Sequence, residues 1–290
     1  MAIADDTLSF VRSSLQNEEK FMVSVCYILL FWAVCLVFIL LSVSAPYGRY
    51  SRPGYGFQVP AKLAWFVQEL PSFLVPVYLL LFTDCPRAGE LKNLVAVGLF
   101  LLHYFHRTFI FPFLIKGGKP TPLVPFVMAF IFCLLNGYLQ GGYLLRYADL
   151  EKNVSTVQFF AGACQGQGQG QTLKFPALAQ PSHLCMGVFF VGMATNIYSD
   201  HILRSLRKEG EKGYKIPYGG MFEYVSGANF FGEAVEWSGF AIMCGTLPAA
   251  AFALFTVCNI GPRAYQHHRW YLEKFEDYPK NRKAIIPFIL

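Results

Sequence analysis

FMVSVCYILLFWAVCLVFILLSV, residues 21–43, is a run of 23 positions without Asp, Glu, Lys, Arg or His. About 20 apolar residues in a helix cross the hydrocarbon core of a bilayer. Backbone polar groups in lipid must be satisfied within the segment, so such a run is helical. It is too long for the core of a signal peptide and has no clear small-residue cleavage site after it, so it is expected to stay as a membrane anchor. Working outward, further candidate spans lie near 62–82, 92–114, 122–144, 184–200, 224–244 and 247–262, some of them short enough to tilt or to extend into the aqueous side. The expected fold is all-α, a polytopic membrane protein with seven transmembrane helices. No repeat or linker divides residues 1–290, so they are read as a single domain.

Composition agrees. The chain is 54% hydrophobic, 17% aromatic and 14% charged, with a mean hydropathy of +0.39, whereas soluble domains carry about 25% charged residues. The net charge of +6 does not indicate nucleic acid, because Lys and Arg fall between the apolar runs and in the tail. Anionic lipid and an anionic cofactor suit that distribution. Alternate loops divide the 24 basic residues 17 against 7. The positive-inside rule then predicts a cytosolic C-terminus and an outside or lumenal N-terminus. Eight cysteines are scattered, mostly in apolar runs, without C-x-x-C spacing. They read as small buried hydrophobes and not as a disulfide framework or a metal site. Between the fourth and fifth spans, QGQGQGQ (165–171) reads as a flexible excursion, and Asn153 opens an N-x-S glycosylation triplet.

Polar residues inside the spans carry the functional signal, since an ionisable group in hydrocarbon is tolerated only where it faces a protein interior or a polar cavity. AWFVQELPSF (64–73) sets Glu69 among Trp65, Phe66, Leu70 and Phe73. Such a site disfavours the anion, so Glu69 is expected to keep a proton and donate a hydrogen bond, or else to pair helices. HYFHRTF (103–109) puts Tyr104, Arg107 and Thr108 at i, i+3 and i+4, on neighbouring parts of one helix face. A phenol there can donate to a carbonyl oxygen and a guanidinium can pair with phosphate, or both can meet lipid headgroups.

The stretch 196–240, NIYSDHILRSLRKEGEKGYKIPYGGMFEYVSGANFFGEAVEWSGF, mixes polar and apolar residues beside two spans. Asn196, Asp200, Arg204 and Arg207 follow one helical stripe; Asn229, Glu233, Glu236 and Trp237 repeat it, and Arg263, His267 and Tyr271 do so again. Any one stripe can be a solvated helix end. All three beside Glu69 and Tyr104 point to a common cavity. Arg and Lys suit phosphates, Asn and Asp suit ribose or amide edges, and Tyr and Trp offer flat surfaces for rings, an inventory that fits a nucleotide. G-x-G-x-x-G and βαβ patterns are absent, so a Rossmann turn cannot hold the phosphates. A P-loop, a nucleophile elbow and HExxH are also absent, and His267-His268 is a weak metal signal.

These residues resemble the steroid 5α-reductases, the 3-oxo-5α-steroid 4-dehydrogenases. The resemblance rests on PYGRY (46–50), AWFVQELPSF, HYFHRTF, GGKP (117–120), NGYLQ (136–140), NIYSDHILR, GYKIPYGGMFEYVSGANFFGEAVEW and WYLEKFEDYPKNRKAIIPF, and spans nearly the whole chain. It implies a seven-helix membrane enzyme that transfers hydride from NADPH to C5 of a Δ4-3-oxosteroid. Glu69 and Tyr104 would bind and polarise the C3 carbonyl. The implied cofactor site draws on Tyr47, Arg107, Lys119, Asn196, Asp200, Arg207, Tyr214, Asn229, Glu233, Arg263, His267 and Tyr271, mostly in a C-terminal part covering about 140–290. Trp65 and Trp237 would line the substrate cavity. Phe111 stands where some relatives carry Tyr, and Lys119 and Lys215 where some carry Arg.

Hydride transfer to an enone needs a dry pocket, an acid at the carbonyl oxygen and a fixed cofactor. Related membrane reductases act on enoyl-CoA or polyprenol substrates, and a seven-helix sterol carrier is a further alternative. A carrier has no use for nucleotide-binding stripes. The expected location is the endoplasmic reticulum membrane in a eukaryote and the inner membrane in a bacterium.

Overall fold

The computed structural model describes residues 17–150, 182–206 and 213–290. The Asn153 triplet, the tract 165–171 and Arg207 lie outside the described residues. Seven long helices run through the described chain. They are α1 (Glu18–Ser42), α2 (Ala61–Phe82), α3 (Leu91–Leu114), α4 (Leu123–Arg146), α5 (Ser182–Ser205), α6 (Ala228–Cys244) and α7 (Leu247–Lys274). Each falls on one of the seven expected spans, and α1 to α4 are long and apolar enough to cross a membrane. Two boundaries differ from the sequence reading. α6 starts at Ala228 because Gly220–Glu223 forms a short 3-10 turn, entered through Gly219 at φ +94°. α7 continues through Pro262 to Lys274, so Arg263, His267 and Tyr271 extend the seventh helix and do not form a separate segment. Two-residue strands, β1 (Gln58–Val59) and β2 (Thr121–Pro122), pair antiparallel and clip two loops together.

Lipid-facing surface dominates α1, where Phe31 is 65% and Phe38 68% exposed. Such rings have no reason to leave hydrocarbon, so helix association here depends on close packing and polar contacts. Small residues supply the first. Pro71 and Pro76 of α2 lie against Gly137 and Gly141 of α4, where an added Cβ would come within 2.9 Å of Pro71 O and 2.8 Å of Pro76 Cβ. α5 and α6 touch backbone to backbone at Gly192, Gly232 and Gly239. The centre is an aromatic cluster of Phe100, Phe189, Trp237, Phe240 and Phe252. α1 packs along α7, and Gln266 donates to the carbonyl of Leu40.

Beyond α7 the chain returns to the start of α6. Val225 and Lys283 form a parallel bridge, and Ser226 N and Gly227 N donate to Lys283 O at 2.8 Å and Ala284 O at 2.9 Å. Arg282, 1% exposed, donates to Pro217 O at 2.8 Å and lies over the rings of Tyr218 and Tyr278. The tail therefore secures the turn from which α6 departs.

Candidate active site

Close approach of α2 and α4 brings Glu69 to Cys133. Ser72 Oγ donates to Cys133 O at 2.9 Å, and Cys133 Sγ lies 3.6 Å from Glu69 Oε2. Gln68 Nε2 donates to Glu69 Oε1 at 3.4 Å. Tyr104 of α3, 4% exposed, reaches the same place, with Cys133 and Ser72 beside it. Its oxygen accepts from Asn136 Nδ2 at 3.2 Å. Glu69 and Tyr104, 35 residues apart, thus both lie against Cys133.

After Tyr104, α3 passes through a π turn over His106–Ile110. The wider turn changes the helix phase, a device that recurs at functional sites. Arg107 and Thr108 lie inside it, so they do not simply repeat the face of Tyr104. Arg107 faces α5 and donates to Asp200 Oδ2 at 3.0 Å, with both side chains nearly enclosed. Its guanidinium lies 4.8 Å from the Trp65 ring centre and 4.6 Å from that of Phe111, and Arg204 approaches the Phe111 ring at 5.5 Å. The predicted phosphate partner of Arg107 is therefore met here by a carboxylate. Trp65 is half-buried beside this group, with its ring edge-on to Phe111.

Trp237 is 1% exposed and packs beneath Tyr104, with ring centres 4.4 Å from Phe252 and 4.5 Å from His103. It forms a floor more than a wall. Glu236 does not continue the open stripe of Asn229 and Glu233. It is fully enclosed, with Oε1 2.7 Å from His103 Nδ1. Sequence placed Glu236 on the polar stripe of α6 and did not select His103, and nothing in either segment reveals the pairing.

Asn196 and Asp200 of α5 are buried, and Asn196 Nδ2 donates to Asn229 O at 2.9 Å, joining the first two polar stripes. Glu233 is half-buried one turn further along α6. The third stripe meets the 3-10 turn Gly48–Tyr50 instead. Tyr47, Arg49, Tyr50, Arg263, Gln266 and His267 line a cleft there. Arg263 lies over the rings of Tyr47 and Phe230, both at 4.9 Å, and His267 stacks on Tyr50. Arg49 sits among Tyr214, Trp270 and Tyr271 and donates to Tyr271 Oη at 3.3 Å. Burial raises the Tyr50 phenol above its usual range, and it does the same for Tyr278 in the tail. Arg49, Tyr50 and Gln266 belong to this cleft although sequence reasoning did not select them; the PYGRY motif contains the first two. Lys119 is exposed in the loop after α3.

The family model described as 3-oxo-5-alpha-steroid 4-dehydrogenase matches residues 164–290. The mouse 3-oxo-5-alpha-steroid 4-dehydrogenase 1 is 51% identical, over 86% of this chain and 89% of its own length. The human protein of the same name is 44% identical, over 94% of this chain and 96% of its own. Human 3-oxo-5-alpha-steroid 4-dehydrogenase 2 is 46% identical, over 80% and 82%. With relatives matched at this identity along most of their length, the chain belongs to the 3-oxo-5-alpha-steroid 4-dehydrogenase family.

Proposed function

We propose that this protein is a membrane-bound reductase that converts a Δ4-3-oxosteroid to its 5α-dihydro-3-oxo product with NADPH. The observation that carries the reading is the convergence of Glu69 and Tyr104 on Cys133, in a member of this family. Tyr104 and protonated Glu69 donate to the steroid's C3 carbonyl oxygen, where negative charge gathers as the β carbon is reduced. Trp237 supports the Tyr104 ring from below, and a proton is gained at C4.

The residues fit a dinucleotide on chemical grounds. Among the described residues, buried Arg49 Nη1, Arg204 Nη1 and Tyr50 Oη have no hydrogen-bond partner, which suits phosphate and hydroxyl groups. Tyr47, Arg107, Asn196, Asp200, Tyr214, Asn229, Glu233, Arg263, His267 and Tyr271 would hold it, with Lys119 and Arg207 completing the set. NADPH supplies the hydride delivered to C5. Arg107 is already partnered by Asp200, so its task in this reading is to hold α3 against α5 as well as to face the cofactor. The seven helices are taken to cross the bilayer with the C-terminus in the cytosol, on the side of the nucleotide, and the 290 residues act as one domain.

Product analysis tests the reading. Purified protein with NADPH should convert testosterone, progesterone and other 4-en-3-one steroids to 5α-dihydro products. Consumption of an enoyl-CoA or a polyprenol in their place would transfer the chain to another lipid-alkene reductase, and bound sterol without turnover would make it a carrier.

A further inference from the structure

We propose that Asn136 and Gln140 of α4 are positioning residues that keep the Tyr104 hydroxyl turned outward as a hydrogen-bond donor. The inference rests on the reading above, in which Tyr104 donates to the substrate carbonyl. Its starting point is a directional constraint. Gln140 Nε2 lies 2.9 Å from Pro248 O and 3.2 Å from Asn136 Oδ1. Pro248 O is a backbone carbonyl and can only accept, so the nitrogen of Gln140 must face it; the flipped amide would set oxygen against oxygen. With that nitrogen fixed, Asn136 must present its own oxygen to Gln140. Its nitrogen is then directed at Tyr104, 3.2 Å away.

Tyr104 is left with one role. Its oxygen accepts from Asn136, so its proton is free to leave in another direction, toward the side occupied by Ser72, Cys133 and Glu69. All three relay side chains are enclosed, with Gln140 and Asn136 at 1% and Tyr104 at 4% exposure. Water therefore does not compete to reorient them, and a phenol that both accepts and donates is polarised by the bond it accepts. The anchor belongs to the first turn of α7, the relay to α4 and the donor to α3. Three helices thus fix the polarity of one hydroxyl.

The test is a double-mutant cycle on the full chain in detergent, with NADPH and a 4-en-3-one steroid. Asn136→Leu removes the donor at similar volume, Gln140→Met removes the anchor, and Tyr104→Phe removes the hydroxyl. Asn136→Leu should lower the single-turnover rate about 10- to 100-fold, the scale of a misdirected catalytic group, and leave NADPH affinity within about 2-fold. In the Tyr104→Phe background it should cause no further loss, because groups acting through one another are not additive. Gln140→Met should follow the same pattern with a smaller loss, and it carries the test if Asn136→Leu does not fold. Full rates in both relay variants while Tyr104→Phe is impaired would overturn the relay alone. So would an equal loss from Asn136→Leu in both backgrounds, which would make Asn136 merely structural. A full rate in Tyr104→Phe would instead overturn the functional reading on which the relay rests.

Discussion

The first four helices and the last three solve different problems with different materials. α1 to α4 are apolar enough to cross a membrane and turn large rings outward, as Phe31 and Phe38 do. α5 and α6 carry polar stripes and approach until their backbones touch at Gly192, Gly232 and Gly239. Glu69, Tyr104 and Cys133 belong to the first region, and Asn196, Asp200 and Asn229 to the second. Three polar contacts cross from one region to the other: Arg107 to Asp200, His103 to Glu236, and Gln140 to Pro248. In the proposed function, the apolar region would take the steroid and the polar stripes the nucleotide, with the reaction between them.

The sharpest way to break this view is to cut the ion pair. Arg107→Met leaves Asp200 buried without its cation and should cost about 3–5 kcal/mol of stability, read as a lower unfolding midpoint without NADPH. Adding Asp200→Leu should restore most of the loss. A single variant as stable as the parent would mean that packing alone joins the two regions. Next in size, Glu69→Ala should reduce kcat about 100- to 1000-fold, as expected for loss of one oxyanion donor. Glu69→Gln, which still donates, should retain more activity, and neither should change NADPH affinity. Equal, near-parental turnover in both would remove Glu69 from the mechanism.

Smaller effects separate the regions by packing. Gly232→Ala should destabilise by about 1–3 kcal/mol, the usual range for overpacking, because its Cβ would meet the Asn196 backbone. Gly98→Ala, on the open side of α3 with nothing within 4 Å of its Cβ, should be neutral or stabilising by up to about 1 kcal/mol. Similar outcomes would erase the contrast. Asn196→Ala should weaken NADPH binding by about 1–3 kcal/mol, measured by titration, with steroid affinity at saturating cofactor little changed; a loss confined to steroid would mean that the stripes line the other pocket. Phe38→Ala should stay within about 0.5 kcal/mol, and a larger loss would show that this face of α1 packs against protein.

Seven helices were legible in the sequence because length and hydropathy act locally, most plainly in the four that are apolar enough to cross a membrane. Glu69 and Tyr104 stood out for the opposite reason, as polar side chains where lipid tolerates none, and the fold sets both beside Cys133. What sequence could not supply was partnership. Glu236 fits a helical stripe with Asn229 and Glu233, yet it pairs with His103 across 133 positions, a relation that no periodicity contains. The π turn was invisible too, since it changes helix phase without any marker residue in HRTFI. Lys119 looked equivalent to Arg107 by composition, and only the fold shows the first exposed and the second buried.

The pairing of Arg107 with Asp200, 93 positions downstream, also has a consequence in time. Synthesis delivers a chain from its N-terminus, so α3 is made and inserted while its counter-charge has yet to be translated. During that interval Arg107 has Trp65 and Phe111 from the finished half beside it. In order of synthesis, the aromatic cover of Arg107 is therefore available before its carboxylate is.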